Sequence, residues 1–468
     1  MTNRTLAKSE SALDARVAHR VGRVLLLSLV SGALLIALVL KFLGEAERSA
    51  YFIPLALAVA AMCALALRGT KRAGIAVFLC AMAPIPWLGD IFTGWTARQA
   101  VRRDFEARKQ YSERNGYAFD GRSVKQVIED RRKDGKDTWP AVHPATLISE
   151  QGGVAASVVR GEDGKELQTL GGISLADTIG ANEDGRYMTY TADEHGFHNP
   201  PGVWNLPQLD IAAIGDSFTQ GQSVPSEANF VASVRRRWPK TLNLGYSGNG
   251  PLLETAAMIE YLPQRKPKVV LWFLCEDNDV GEDLERELPS PLLRKYRKER
   301  SKLQNLEARQ SEIDKQLRAY VERVRLKPEV QATNWRSLLG LERLRQTAYA
   351  LARPAPDRWD VFQQILGEAR DTVKGWDGKL YLVYLPSHFN VRETWLRSRQ
   401  RGTPQQRHER VLNIARDLNI PSIDIEPVFA NAGPKLETFI YPHRGHFTAA
   451  GYAEVGRAVV ERLEKDGW

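Results

Sequence analysis

Four short stretches in the second half of the chain hold residues able to do acyl-transfer chemistry. "IAAIGDSFTQGQSV" sets Ser217 in a Gly-Asp-Ser turn directly after an apolar run. "NLGYSGNGP" ends a second run with Gly245, and "FLCEDNDV" ends a third with Asn278. "YPHRGHFTAAGY" places His443 and His446 just before the last helical pattern. A serine hydroxyl becomes a useful nucleophile when a neighbouring base takes its proton. Backbone N–H groups at a helix start, and a neutral amide such as Asn278, can stabilise the oxyanion that follows. Each residue also has an ordinary role. A lone Gly-Asp-Ser is commonly a helix cap, and Asn278 beside acidic neighbours is commonly a turn residue.

The elements that must position these groups are read from Leu209 onward. "LDIAAIG", "TLNLG", "KVVLWFL", "KLYLVYLP" and "PSIDI" are short apolar runs, as expected for parallel strands buried on both faces. Between them lie helical patterns, including "SEANFVASVRRRW" and "PLLETAAMIEYL", and "AAGYAEVGRAVVERLE" closes the chain. The alternation predicts an α/β, doubly wound (flavodoxin-like) parallel sheet over residues 201–468. Ligands of such sheets bind outside the carboxyl ends of the strands, where all four stretches fall. A helical insertion at about 282–356 interrupts the pattern. Within it Leu303, Leu306, Ile313, Leu317, Tyr320 and Val324 recur at helical spacing. This predicts a helical hairpin on the core, or alternatively a docking arm for a partner or a second copy.

The four blocks "GDSFTQG", "NLGYSGNG", "CEDND" and "HRGHFTAAGY", in this order, resemble the SGNH/GDSL hydrolase superfamily. The resemblance covers residues 185–468 apart from the insertion. "DEHGFHNPPG" is similar to a segment before the serine block in membrane-anchored members near polysaccharide-assembly genes. The resemblance implies Ser217 as nucleophile and His446 as general base. It implies an oxyanion hole from the N–H groups of Ser217 and Gly245 and the side chain of Asn278. The implied reaction runs through an acyl-serine and needs neither metal nor organic cofactor.

Two positions depart from the superfamily pattern. Glu276 stands where a glycine is usual, and His443 stands where the acid that orients the base is usual. An imidazole cannot stabilise an imidazolium as a carboxylate does. Asp424 and Glu426, at the end of "SIDI", are the first alternatives for orienting His446, with Glu437 and a backbone carbonyl behind them. The acid's absence also leaves open a catalytically degenerate domain that binds glycan or scaffolds a polysaccharide-assembly complex.

The chain of 468 residues carries a net charge of +9. Its basic residues are interleaved with acids on helical stretches and show no nucleic-acid-binding motif, so no nucleic acid partner is expected. Three cysteines define neither a metal site nor a disulfide framework. Residues 1–95 hold three apolar runs, Val24–Gly44, Tyr51–Leu67 and Ala73–Phe92, the last interrupted by Pro84 and Pro86. They predict about three transmembrane helices in a cytoplasmic (inner) membrane. Lys and Arg dominate the leader and the second connection, which places both in the cytoplasm and the large domain in the periplasm. Residues 96–200 read as a linker helix and a short β-rich segment. Together these readings point to a multi-pass esterase or acyltransferase whose partners are the lipid bilayer and an O-acylated, foremost O-acetylated, envelope polysaccharide. Assembly partners would dock through the helical insertion.

Overall fold

A computed structural model of the protein describes residues 3–42, 51–275, 278–325, 338–345, 358–386, 402–431, 439, 441 and 445–468. It divides into two compact units, Met1–Asp104 with Glu329–Pro354, and Phe105–Pro328 with Ala355–Trp468.

The second unit is organised by five strands, the central ones buried on both faces. They are β6 (Ile211–Ile214), β7 (Thr241–Asn243), β8 (Val269–Leu274), β9 (Lys379–Tyr384) and β10 (Ser422–Asp424). All pair in parallel in the order β10-β9-β8-β6-β7. Alternate residues face opposite layers. Ala212, Ile214, Val270 and Trp272 pack with the helices Pro251–Tyr261 and Trp359–Lys374. Ile211, Ala213, Leu271 and Phe273 pack with Phe230–Arg237 and Ala449–Lys465. The chain leaves β6 toward β7 on one side and returns to β8 on the other. The carboxyl end of β6 is therefore the switch point at which such sheets open a crevice.

Ahead of this sheet lie β1 (Thr138–Pro140), the hairpin of β2 (Ile148–Gln151) and β3 (Val154–Ser157), β4 (Asp177–Ile179) and β5 (Thr189–Thr191). β4 lies between β1 and β5 in a small mixed sheet. "DEHGFHNPPG" ties this region to the large sheet. Buried Asp193 accepts from the N–H groups of His195 and Phe197 and from Asn199 Nδ2. Asn199 in turn brackets Asn243, donating to its carbonyl and accepting from its N–H.

His198, in the same segment, is buried, with Nδ1 2.7 Å from the Gln220 carbonyl and Nε2 2.6 Å from Ser226 Oγ. Burial pulls its pKa from 6.5 down to about 4. Between those values the unfolded chain binds the proton and the folded chain does not, so this residue's contribution to stability rises with pH across that window. It is fully present above pH 6.5 and falls away toward pH 4, by at most about 3 kcal/mol. His198→Gln is expected to lose less of its melting temperature than wild type on going from pH 7 to pH 4.5. Equal losses would show that His198 is not what titrates.

The insertion splits. Leu306, Ile313 and Leu317 are buried in the α/β core, whereas Val324 is half exposed. Residues 338–345 belong instead to the first unit. There the Leu344 N–H donates to buried Asp90 at 2.9 Å, and Arg343 lies 3.9 Å from the same carboxylate.

The first unit packs Asn3–Phe42 against Phe52–Leu65 and Gly69–Met82 through Leu26, Ala61, Ala64 and Ala76. The third helix stops at Met82 and a fresh one, Ile85–Arg114, begins. Pro84 and Pro86 have no N–H to continue the ladder, so the break falls at them. Arg16–Lys41 and Gly69–Arg114 are long and apolar enough to cross a membrane. Phe52–Leu65 has 14 residues and rises about 21 Å at 1.5 Å per residue, short of a ~30 Å hydrocarbon core.

Candidate active site

β6 runs into Gly215, whose φ of +152° and close neighbours leave no room for a side chain. A Cβ there would sit 2.2 Å from Thr219 Oγ1 and 2.9 Å from the Phe273 carbonyl. The chain therefore turns sharply into the helical turn Ser217–Gln220, capped by Asp216, whose Oδ1 accepts from the Phe218 N–H at 2.9 Å. Ser217 becomes the first helical residue, at the mouth of the switch point. No acceptor among the described residues takes its own N–H.

Ser217 Oγ lies 2.7 Å from His446 Nε2. The histidine is held from several sides. Its carbonyl accepts from the Tyr441 N–H, and the Phe218 ring lies 4.8 Å from the imidazole. The next residue, Phe447, is fully buried, and Thr448 caps the terminal helix by accepting from the Gly451 N–H.

The far ring nitrogen, Nδ1, is 2.8 Å from Glu183 Oε1. Sequence reasoning did not single out Glu183. It lies 263 residues from the histidine, in the connection between β4 and β5. Its loop is tightly clamped. Asn182 donates to the Asp120 carbonyl and accepts from the Gly185 N–H, while Arg108 donates to the Asn182 carbonyl. Gly185, at φ +99°, packs so closely on Ser112 that a Cβ would lie 2.9 Å from that side chain. Glu183 is buried, and among the described residues its Oε2 has no hydrogen-bond partner, so the contact with His446 is the carboxylate's polar interaction there. The only local signal was the turn-forming "NEDG" between two strand-like runs.

The expected alternatives for this role are engaged elsewhere, which corrects that expectation. Asp424 Oδ2 is 3.0 Å from His408 Nε2, and Glu426 Oε2 is 2.9 Å from His408 Nδ1. Both carboxylates do sit at the carboxyl end of β10, but a different imidazole lies between them. His443, Glu276 and Glu437 lie outside the described residues.

Gly245 also departs from expectation. Its N–H donates to Asn243 Oδ1 at 2.8 Å, so it is committed within its own turn. Its glycine character serves packing, since a Cβ would lie 2.5 Å from Thr219 Cβ. Further along the loop, Tyr246 donates to the Gly215 carbonyl, which carries the following residues past the Ser217 turn. Gly248, at φ +76°, has no acceptor for its N–H among the described residues, while its carbonyl accepts from Arg286.

Asn278 reaches the neighbourhood of Ser217 from the end of β8. Its Nδ2 contacts Asp283 Oδ2 at 2.7 Å, Asp279 Oδ1 at 3.1 Å and Asp216 Oδ2 at 3.3 Å. Burial raises the Asp216 pKa, only partly opposed by the Phe218 N–H, His446 and Asn278. Burial, with repulsion from Asp216, Glu254 and Asp283, pushes Asp279 well up, and burial raises Asp283 to about 6. The shift favours the neutral form of Asp279, which weakens the negative field beside the crevice. Among the described residues no group of three or more His, Cys, Asp or Glu could hold a metal.

A buried serine at the switch point of a five-stranded parallel sheet, in hydrogen-bond contact with a histidine that a carboxylate holds from behind, defines an α/β serine–histidine–acid class. The chain belongs to the GDSL-like lipase/acylhydrolase family, which it matches over residues 213–454, just over half its length. Solved structures with similar folds include a lipase/acylhydrolase from Enterococcus faecalis, at 15% identity and TM-score 0.33, covering 55% of this chain and 97% of that one. Another is a catalytic mutant of an acetylxylan esterase from Geobacillus stearothermophilus, at 16% identity and TM-score 0.31, covering 55% and 94%. No curated protein matches the chain.

Proposed function

We propose that this protein is a membrane-anchored serine esterase or acyltransferase acting on O-acyl groups, foremost O-acetyl, of extracytoplasmic polysaccharide. The observation that carries the reading is the chain of contacts from Ser217 Oγ through His446 to Glu183. Ser217 Oγ attacks the ester carbonyl while His446 Nε2 takes its proton. Glu183 fixes the Nδ1–H tautomer and stabilises the imidazolium. The N–H groups of Ser217 and Gly248 receive the oxyanion. Asn278 joins them by releasing its longest contact, that to Asp216. Collapse expels the sugar hydroxyl, protonated by His446, and leaves acyl-Ser217. Water completes hydrolysis, or a second hydroxyl completes transfer.

Anchoring is supported by the outward faces of the N-terminal helices. Leu35, Leu38, Phe52, Phe78, Leu88 and Phe92 are each 60–77% exposed, a surface that lipid covers and water does not. The placement of Lys and Arg supports a periplasmic catalytic domain in the inner membrane. A non-catalytic glycan-binding reading draws on the carboxylate contacts of Asn278, but the Glu183 contact weighs against it by supplying the acid that the histidine block lacks.

The detergent-solubilised full chain is expected to release acetate from an O-acetylated glycan, or to move it to an added hydroxylated acceptor. Turnover of an aryl acetate with neither glycan reaction would keep the esterase and remove the carbohydrate.

A further inference from the structure

Two pockets of the second unit differ in whether their arginines are ion-paired. The pocket of about 630 Å³ beside the Glu183 loop is lined by Arg122, Arg131 and Arg186. Each of these is ion-paired, to Asp120 and Asp130, to Asp177 and to Asp184 respectively. The pocket of about 540 Å³ is lined by Arg235 and Arg236, with Pro200, Pro201, Ala232 and Glu227 among its other walls. Neither Ser217 nor His446 lines it.

Arg235 is held without a carboxylate. Its Nε donates to the Thr241 carbonyl at 3.0 Å and its Nη2 to Asn199 Oδ1 at 2.6 Å, and Nη1 has no acceptor among the described residues. The nearby buried carboxylate, Asp193, is taken up by His195, Phe197 and Asn199. Burial pulls the Arg235 guanidinium down to about 10, against the through-space attraction of Asp193, so it stays charged at neutral pH and makes no direct ion pair among the described residues. Arg236 donates to the Glu227 carbonyl and to Ser233 Oγ, both neutral. Both guanidinium groups line the pocket and neither is ion-paired among the described residues, and the planar donor fork of a guanidinium suits a carboxylate.

We propose that this pocket binds the carboxylate of an acidic sugar residue, a uronate unit of the glycan chain, at a subsite separate from the acyl-transfer centre. Pro200, Pro201 and Ala232 offer an apolar wall to the C–H face of the ring. Glu227 can accept a hydrogen bond from a sugar hydroxyl, and its charge disfavours a dianionic phosphate more than a singly charged carboxylate. The assignment to a sugar, rather than to another carboxylate, rests on the carbohydrate reading above.

Binding by the detergent-solubilised full chain tests this by calorimetry, independently of turnover. A galacturonic acid trisaccharide is expected to bind at least about tenfold more tightly than a neutral galactose trisaccharide, the effect of one charged hydrogen bond or more. Arg236→Gln is expected to weaken the acidic trisaccharide about tenfold while aryl acetate turnover stays at the wild-type rate. Arg235→Gln should lose more, and the exposed Arg236 variant keeps the test sound if Arg235→Gln fails to fold. Equal binding of the two sugars, no binding of either, unchanged binding by Arg236→Gln, or stronger binding of inorganic phosphate would each overturn the proposal. Acetate release without uronate binding would overturn it while leaving the esterase reading standing.

Discussion

Ser217→Ala is expected to lower kcat for aryl acetate hydrolysis by about 10⁴- to 10⁶-fold, with the fold intact by circular dichroism. The loss is large because in the proposed mechanism the hydroxyl forms the covalent intermediate, and no other described hydroxyl lies at hydrogen-bond distance from His446 Nε2. What survives comes from the free N–H groups at the turn, which can still polarise a bound ester toward water. His446→Ala should fall to a similar level, and the double variant should fall little further, since the two groups act as a unit. Wild-type turnover no higher than that of Ser217→Ala, with acetate and with transfer acceptors alike, would sink the catalytic reading.

The sheet was legible because its physics is local. A central parallel strand must be apolar on both faces, so "IAAI" and "VVLWFL" announce themselves without any knowledge of their neighbours. Ser217 and His446 were legible for the same reason, each being tied by a few residues to a strand end or a helix start. Glu183 was not. Its position depends on a loop fixed by Asn182, Asp120, Gly185 and Arg108, contacts between segments that leave no periodicity in the sequence. Asp424 and Glu426 show the converse. Their position at a strand end correctly placed them at the edge of the sheet, but it could not say which histidine lay within reach. What separates Gly245 from Gly248 for this role is which N–H is left without an acceptor among the described residues. That is decided by the Asn243 side chain, two residues before the first of them.

Glu183→Gln is expected to lower kcat by about 10²- to 10⁴-fold with KM little changed. The oxygen at Oε1 now accepts a hydrogen bond across 2.8 Å from His446 Nδ1. If the glutamine presents its amide nitrogen to that ring atom, Nδ1 must become the acceptor, and the ring proton moves to Nε2, facing the Ser217 hydroxyl it should deprotonate. If the glutamine presents its oxygen, the tautomer survives but the charge that stabilises the imidazolium is gone. Either way the loss falls on the transition state and not on ester binding, so it appears in kcat. Glu183→Asp should recover part of the rate, because it restores the charge one methylene further from the ring. A residue that only stabilised the β4–β5 loop would show no such preference for a carboxylate. Asp424→Asn and Glu426→Gln, which alter the His408 pair instead, are expected to keep turnover within about threefold of wild type, the range of ordinary surface changes. If Glu183→Gln kept wild-type kcat while Asp424→Asn lost it, the acid would have to be reassigned to the β10 edge. The family's own histidine block would then be oriented as the sequence first predicted.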